Sequence, residues 1–124
     1  MRRAKPVPTE QELEILKIVW RLKTATVREV YEALLERRRI AYTTVMTMMN
    51  ILERKGHLRK QRDAKAFVYA ATRPQRQVIG KMVREFVDRV FNGSARPLLV
   101  HLVEDRKLSE DDLRELRRAL EEAE

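Results

Sequence analysis

The segment AYTTVMTMMNILERKGHLRKQRDAKAFVYAA, Ala41 to Ala71, constrains this chain more than any other. It reads as a helix, a tight stop and a short basic hairpin. Val45, Met48, Met49 and Leu52 recur at i, i+3, i+4 and i+7, so they share one helical face. With about 100° between successive residues, Thr43, Thr47, Asn50 and Arg54 gather on the opposite face. That outer face is polar and carries no charge until Arg54. An ordinary solvated helix would carry Glu and Lys pairs there. Thr, Asn and Arg instead suit hydrogen bonding to base edges and phosphates, and a Thr methyl can pack on a thymine methyl. The plain alternative is a core helix whose outer face is merely Thr-rich.

The residues after the helix favour the first interpretation. Arg54-Lys55-Gly56 puts basic residues in the last turn and a glycine where the chain must turn left-handed. Leu58 to Gln61 and Phe67 to Ala71 are expected as two short strands, with Asp63-Ala64-Lys65 as the turn between them. Arg54, Lys55, Arg59, Lys60, Arg62 and Lys65 are opposed in this segment only by Asp63. A two-stranded ribbon with a basic tip suits the phosphate backbone beside a groove. The alternative is an edge hairpin whose charges block strand-to-strand pairing. A helix followed directly by a basic hairpin is the pattern of a winged helix-turn-helix, a DNA-reading unit.

The charge of the chain is distributed to match. Residues 1 to 75 carry 17 Lys and Arg against 8 Asp and Glu, and residues 76 to 124 carry 10 against 11. A basic front half implies a polyanionic partner, and a nearly neutral back half implies a protein partner. The chain has 124 residues, 44% of them hydrophobic and 37% charged, enough for one domain or two small ones with a modest core. It has no cysteine, which excludes a disulfide framework and thiolate metal sites and fits a reducing cytoplasm. No run approaches the roughly 18 to 20 apolar residues of a membrane span, and the N-terminus lacks the apolar stretch of a secretory signal.

The remaining pattern is helical. Thr9 and Glu12 have capping-box spacing and open a first helix, in which Leu13, Leu16 and Trp20 share a face widened by Ile15 and Val19. Trp20 is expected as a core anchor. Thr26 and Glu29 open a second helix, with Val27, Val30, Tyr31, Leu34 and Leu35 inward. Arg37-Arg38-Arg39 at its end suits either phosphate contact or a solvated helix end. Only a few residues join it to the reading helix, as a helix-turn-helix requires. Pro74 is expected just inside a fourth helix with a long apolar stripe. Asn92-Gly93 stops that helix, and Ser94 is expected to cap a fifth. Ser109 with Asp112 caps a sixth.

The fold class expected is mainly α with a small β wing. The expected organisation is a flexible basic arm over 1–8, a winged-helix DNA-binding domain over 9–73 and a helical dimerisation domain over 74–124. The last is too small to be stable alone and is rich in apolar stripes. Val83, Phe86, Val87, Val90, Phe91, Leu98, Leu99, Leu102, Leu113, Leu116 and Leu120 therefore need cover, for which a second copy is the natural source. The alternative is packing against the chain's own front half.

Three segments together resemble the penicillinase repressor family: EILKIVW (Glu14 to Trp20), AYTTVMTMMNILERKGHL (Ala41 to Leu58) and VFNGSARPLLVHLVEDRKLSEDDLRELRRAL (Val90 to Leu120). The resemblance implies a homodimeric bacterial transcription repressor on double-stranded operator DNA, an inverted repeat with TACA/TGTA-like half-sites. Thr44 and Thr47 match threonines of that family's reading helix. Thr43 and Met46 depart from its resistance branch, where basic residues are usual. The DNA-contact candidates are thus Thr43, Thr44, Met46, Thr47, Asn50 and Arg54 on the helix, with Arg59, Lys60, Arg62 and Lys65 on the hairpin. The resemblance also implies a sensor protease acting on the tail, but the family's Asn-Phe cleavage site is replaced here by His101-Leu102. The cysteine cluster of its copper-responsive branch is missing too.

Nothing in the sequence suggests catalysis, a cofactor or a metal. His57 and His101 are far apart, and the three glycines form no phosphate loop. The rival to operator binding is a winged-helix module docking protein or structured RNA. The Thr/Asn face, with no exposed aromatic stacking pair expected, argues for duplex DNA.

Overall fold

The structure, a computed structural model, describes residues 7–123. Of the basic arm expected over residues 1 to 8, only Val7 and Pro8 fall among them, and Pro8 is buried. The elements are α1 (Glu10–Leu22), α2 (Val27–Leu35), α3 (Tyr42–Arg54), β1 (Leu58–Asp63), β2 (Ala66–Ala71), α4 (Gln75–Phe91), α5 (Arg96–Glu104) and α6 (Glu110–Ala123). They form two compact units that divide inside α4, between Lys81 and Met82. The change expected from the sequence lay ahead of α4. The first turns of that helix belong with the first unit, and Val78 is buried there.

Local chemistry sets the helix starts. Thr9 and Glu12 make a reciprocal capping box at α1, and Thr26 and Glu29 repeat it at α2. Ser109 and Asp112 exchange the same pair of bonds ahead of α6. Two expected starts differ. Pro74 lies one residue before α4, where its carbonyl accepts the first helical bond from Val78. The cap of α5 is Ala95, not Ser94, and it makes no side-chain bond; Pro97 sits in the first turn, where its missing N–H costs nothing.

Glycine and asparagine end the helices as the sequence suggests. Gly56 has φ +86°, and the His57 amide returns to the Leu52 carbonyl at 2.9 Å, the closing bond of a Schellman motif. Asn92 and Gly93 both have positive φ after α4.

The core of the first unit gathers Ile15, Leu16 and Val19 from α1, Val30 and Leu34 from α2, and Val45, Met49 and Leu52 from α3. Leu58 and Tyr69 close it from the strands. Burying each such Leu or Val contributes roughly 1.5–3 kcal/mol. Met48, placed on the same stripe as Val45 and Met49, is only partly buried at its edge. Trp20 is also partly buried, and its indole N–H donates to the Arg73 carbonyl at 3.0 Å.

The strands pair antiparallel with Leu58 opposite Ala71 and Asp63 opposite Ala66. Both are longer than expected, and the turn shrinks to Ala64-Lys65, with Ala64 at φ +56°. Ala25 forms an isolated bridge to Tyr69, exchanging backbone bonds of 2.9 and 2.8 Å. The break in pattern at Thr24-Ala25-Thr26 is therefore a third pairing partner for the wing.

Among the described residues, the second unit buries one apolar side chain, Val87; α5 and α6 bury none. Phe91 packs edge-on to Phe86 at 5.9 Å and lies 6.0 Å from the His101 ring. Among the described residues no helix is long and apolar enough to cross a membrane.

Candidate nucleic-acid interface

The outer face of α3 is where the helical repeat puts it. Thr43, Thr44, Met46, Thr47, Asn50 and Arg54 are all exposed, while Val45, Met49 and Leu52 on the opposite side are fully buried. From Tyr42 to Asn50 the face carries no charge. Ala41 caps this helix without a side-chain bond, unlike Thr9 at α1 and Thr26 at α2, and no acid stands in its first turn, so its first amides keep a positive end.

Asn50 is less free than its position on the helix implies. Its Oδ1 accepts a 3.2 Å hydrogen bond from the Tyr69 hydroxyl of β2. This contact orients the amide and ties the reading helix to the wing.

Arg59, Lys60, Arg62 and Lys65 are exposed on the wing, but they do not form one face. Alternation along β1 places Lys60 and Arg62 opposite Tyr69 and Phe67, and Arg59 on the other side opposite Ala70. The Lys60 ammonium lies 4.2 Å from the Phe67 ring centre, and the Arg62 guanidinium 5.7 Å from it. These contacts hold both cations on the aromatic side of the ribbon.

Between the start of α2, α3 and the wing runs an open groove of about 520 Å³. Thr26, Arg28, Tyr42, Met46, Asn50 and Phe67 are among its lining residues. The sequence pattern singled out Met46 and Asn50 but missed Arg28, Tyr42 and Phe67. The expectation of no exposed aromatic pair is thus corrected: Tyr42 and Phe67 both reach solvent. Neither ring is bare, however. Tyr42 packs edge-on to Tyr31 at 5.4 Å with the Arg28 guanidinium at 5.6 Å, and Phe67 lies under Lys60 and Arg62. The signal available beforehand was the i, i+4, i+8 spacing of Tyr42, Met46 and Asn50.

Three ion pairs tie the ends of α2 and α3 to α1. Lys55, at the end of α3, donates to the Glu12 carboxylate at 2.9 Å. Burial is the largest influence on Glu12 and opposes its ionisation. The hydrogen bonds from Lys55 and the Thr9 amide, with the charges of Lys55 and His57, together hold its carboxyl below the ordinary value of 4.5. Arg38 pairs with Glu14 of α1 at 2.9 Å, with Arg37 at 4.0 Å from the same carboxylate. Part of the triple arginine thus serves to join α2 to α1, a third use beside the two weighed from the sequence.

The residues expected at a dimer contact lie on α4, α5 and α6. Val83, Phe86, Val90, Leu99, Leu113, Leu116 and Leu120 are exposed; Phe91, Leu98 and Leu102 are half-buried; Val87 is buried.

Comparison with known proteins agrees with this architecture. A family model described as penicillinase repressor matches residues 8–122. The transcriptional regulator BlaI of Mycobacterium tuberculosis is 38% identical over 115 residues, spanning 91% of this chain and 82% of that protein. The penicillinase repressor of Bacillus licheniformis is 27% identical over 117 residues, spanning 94% and 91%. Among solved structures, the monomeric form of B. licheniformis BlaI in complex with the blaP half-operator superposes with a TM-score of 0.52 at 25% identity. That superposition covers 60% of this chain and 92% of the other. The front of the molecule is accordingly a winged helix. With a match that runs through both units, the chain belongs to the penicillinase repressor family.

Proposed function

We propose that this protein is a homodimeric transcriptional repressor of palindromic operator DNA, acting in the cytoplasm. In this reading α3 enters the major groove, where Thr43, Thr44, Met46, Thr47 and Asn50 meet base edges and Arg54 lies beside a phosphate. Arg59, Lys60, Arg62 and Lys65 of the wing lie along the phosphate backbone. The observation that carries it is the exposed, acid-free face of α3 from Tyr42 to Asn50 beside a ribbon of cations. The half-operator bound to a relative of the same fold supports it. Homodimerisation is supported by the apolar residues that α4, α5 and α6 leave exposed. If release follows the cleavage route that the resemblance implies for the resistance branch, the matching bond, His101-Leu102, lies within α5; ligand-driven release is the other route.

A competition gel shift tests the reading, using palindromic duplex, random duplex and structured RNA at several salt concentrations. Thr47→Ala should cost roughly 1–3 kcal/mol on the preferred duplex and little on random DNA. Equal losses on both would remove Thr47 from base reading. Changing Arg59, Lys60, Arg62 and Lys65 to Gln should flatten the log–log salt dependence by about one unit for each true phosphate contact. Preference for the RNA would favour the rival docking module instead.

A further inference from the structure

The interface has an apolar component beside its polar one. In the groove bounded by α2, α3 and the wing, Met46 is 40% exposed, Tyr42 38% and Phe67 46%. Val27 and Ala66 extend the apolar lining, and no carboxylate lines it. Cations stand at its rim, with Arg28 by Tyr42 and Lys60 by Phe67. An apolar floor with a cationic rim suits a polyanion that displays an apolar group between its charges. In the major groove of duplex DNA, that group is the thymine C5 methyl. The rings themselves already hold neighbours, Tyr31 and Arg28 at Tyr42, Lys60 and Arg62 at Phe67. Met46 is the lining side chain of α3 that is apolar and unbranched. A thioether chain of this kind adapts its shape to a methyl-sized partner.

We propose that Met46, walled by Tyr42 and Phe67, reads thymine methyls in the operator and so sets base specificity. The inference rests on the operator-binding reading above. Each methyl buried against Met46 should be worth about fourfold in affinity, the value of removing one such group from water.

The test uses the full-length chain. A preferred duplex is selected from a random pool, and each of its thymines is replaced in turn by uracil, which lacks only the methyl. At one or more positions uracil should weaken binding about fourfold. Met46→Ala should abolish that penalty at the same positions, and Met46→Leu should keep it. Met46 is outside the core, so both variants should melt like the parent. Uracil tolerated at every position, or a full penalty retained in Met46→Ala, overturns the proposal and leaves operator binding standing. Selection that enriches no duplex overturns operator binding and this inference with it.

Discussion

In the first unit, amphipathic faces from α1, α2 and α3 meet one another and the base of the wing, and side chains such as Leu34, Val45 and Leu52 are wholly enclosed. In the second, the stripes of α4, α5 and α6 are as regular, yet Val83, Phe86, Val90, Leu99, Leu113, Leu116 and Leu120 stay exposed. Periodicity states that a face needs cover; it does not state where the cover comes from. In the front, several elements at different angles supply it from within. In the back, three helices leave the need unmet among the described residues, which is the physical basis for proposing association through the tail.

The largest effect should follow from breaking the back. Leu113→Glu with Leu116→Glu puts charge on the α6 stripe, and the chain should change from dimer to monomer in sedimentation at micromolar concentration. Operator affinity should fall about 10²–10⁴-fold through loss of avidity. A parent chain that already sediments as a monomer would collapse the comparison, making the tail something other than a dimer contact. Next in size, Leu52→Ala should lower stability by roughly 2–5 kcal/mol in denaturant titration. Leu120→Ala, at a 66% exposed site, should change the stability of a monomeric variant by no more than about 0.5 kcal/mol. Similar costs at both sites would mean that the two stripes are not differently covered.

The smallest effect concerns acid. The Glu12 carboxyl is depressed in the folded chain, so its contribution is complete above its unfolded value of 4.5 and is lost as pH falls through the lower folded value. Glu12→Gln keeps an acceptor for the Thr9 amide but removes the charge facing Lys55. Stability of the parent should therefore fall more steeply below about pH 4.5 than that of Glu12→Gln. Parallel curves would show that the Glu12–Lys55 pair adds nothing in the native state beyond its hydrogen bonds.

Local features were legible in the sequence. The boxes Thr9/Glu12, Thr26/Glu29 and Ser109/Asp112, the stop at Gly56 and the inner face of α3 all depend on residues within a turn or two of each other. The features that stayed hidden join distant residues: Glu12 to Lys55, Glu14 to Arg38, Trp20 to Arg73 and Ala25 to Tyr69. Chain spacing carries no signal for such pairs. Tyr42 and Phe67 escaped notice for a related reason. Their roles arise from the gap between α3 and the wing, which neither segment contains alone.

The bridge from Ala25 to Tyr69, with the hydroxyl of Tyr69 on Asn50, has a consequence for timing. It ties the wing at Tyr69 to α3 and to the segment leading into α2, so on the operator-binding reading proposed above the two surfaces would meet a duplex already in register. Little conformational freedom is then left to surrender on docking. Association with DNA should accordingly be governed by diffusion under the pull of the basic front, and differences among target sequences should appear mainly in how long each complex lasts.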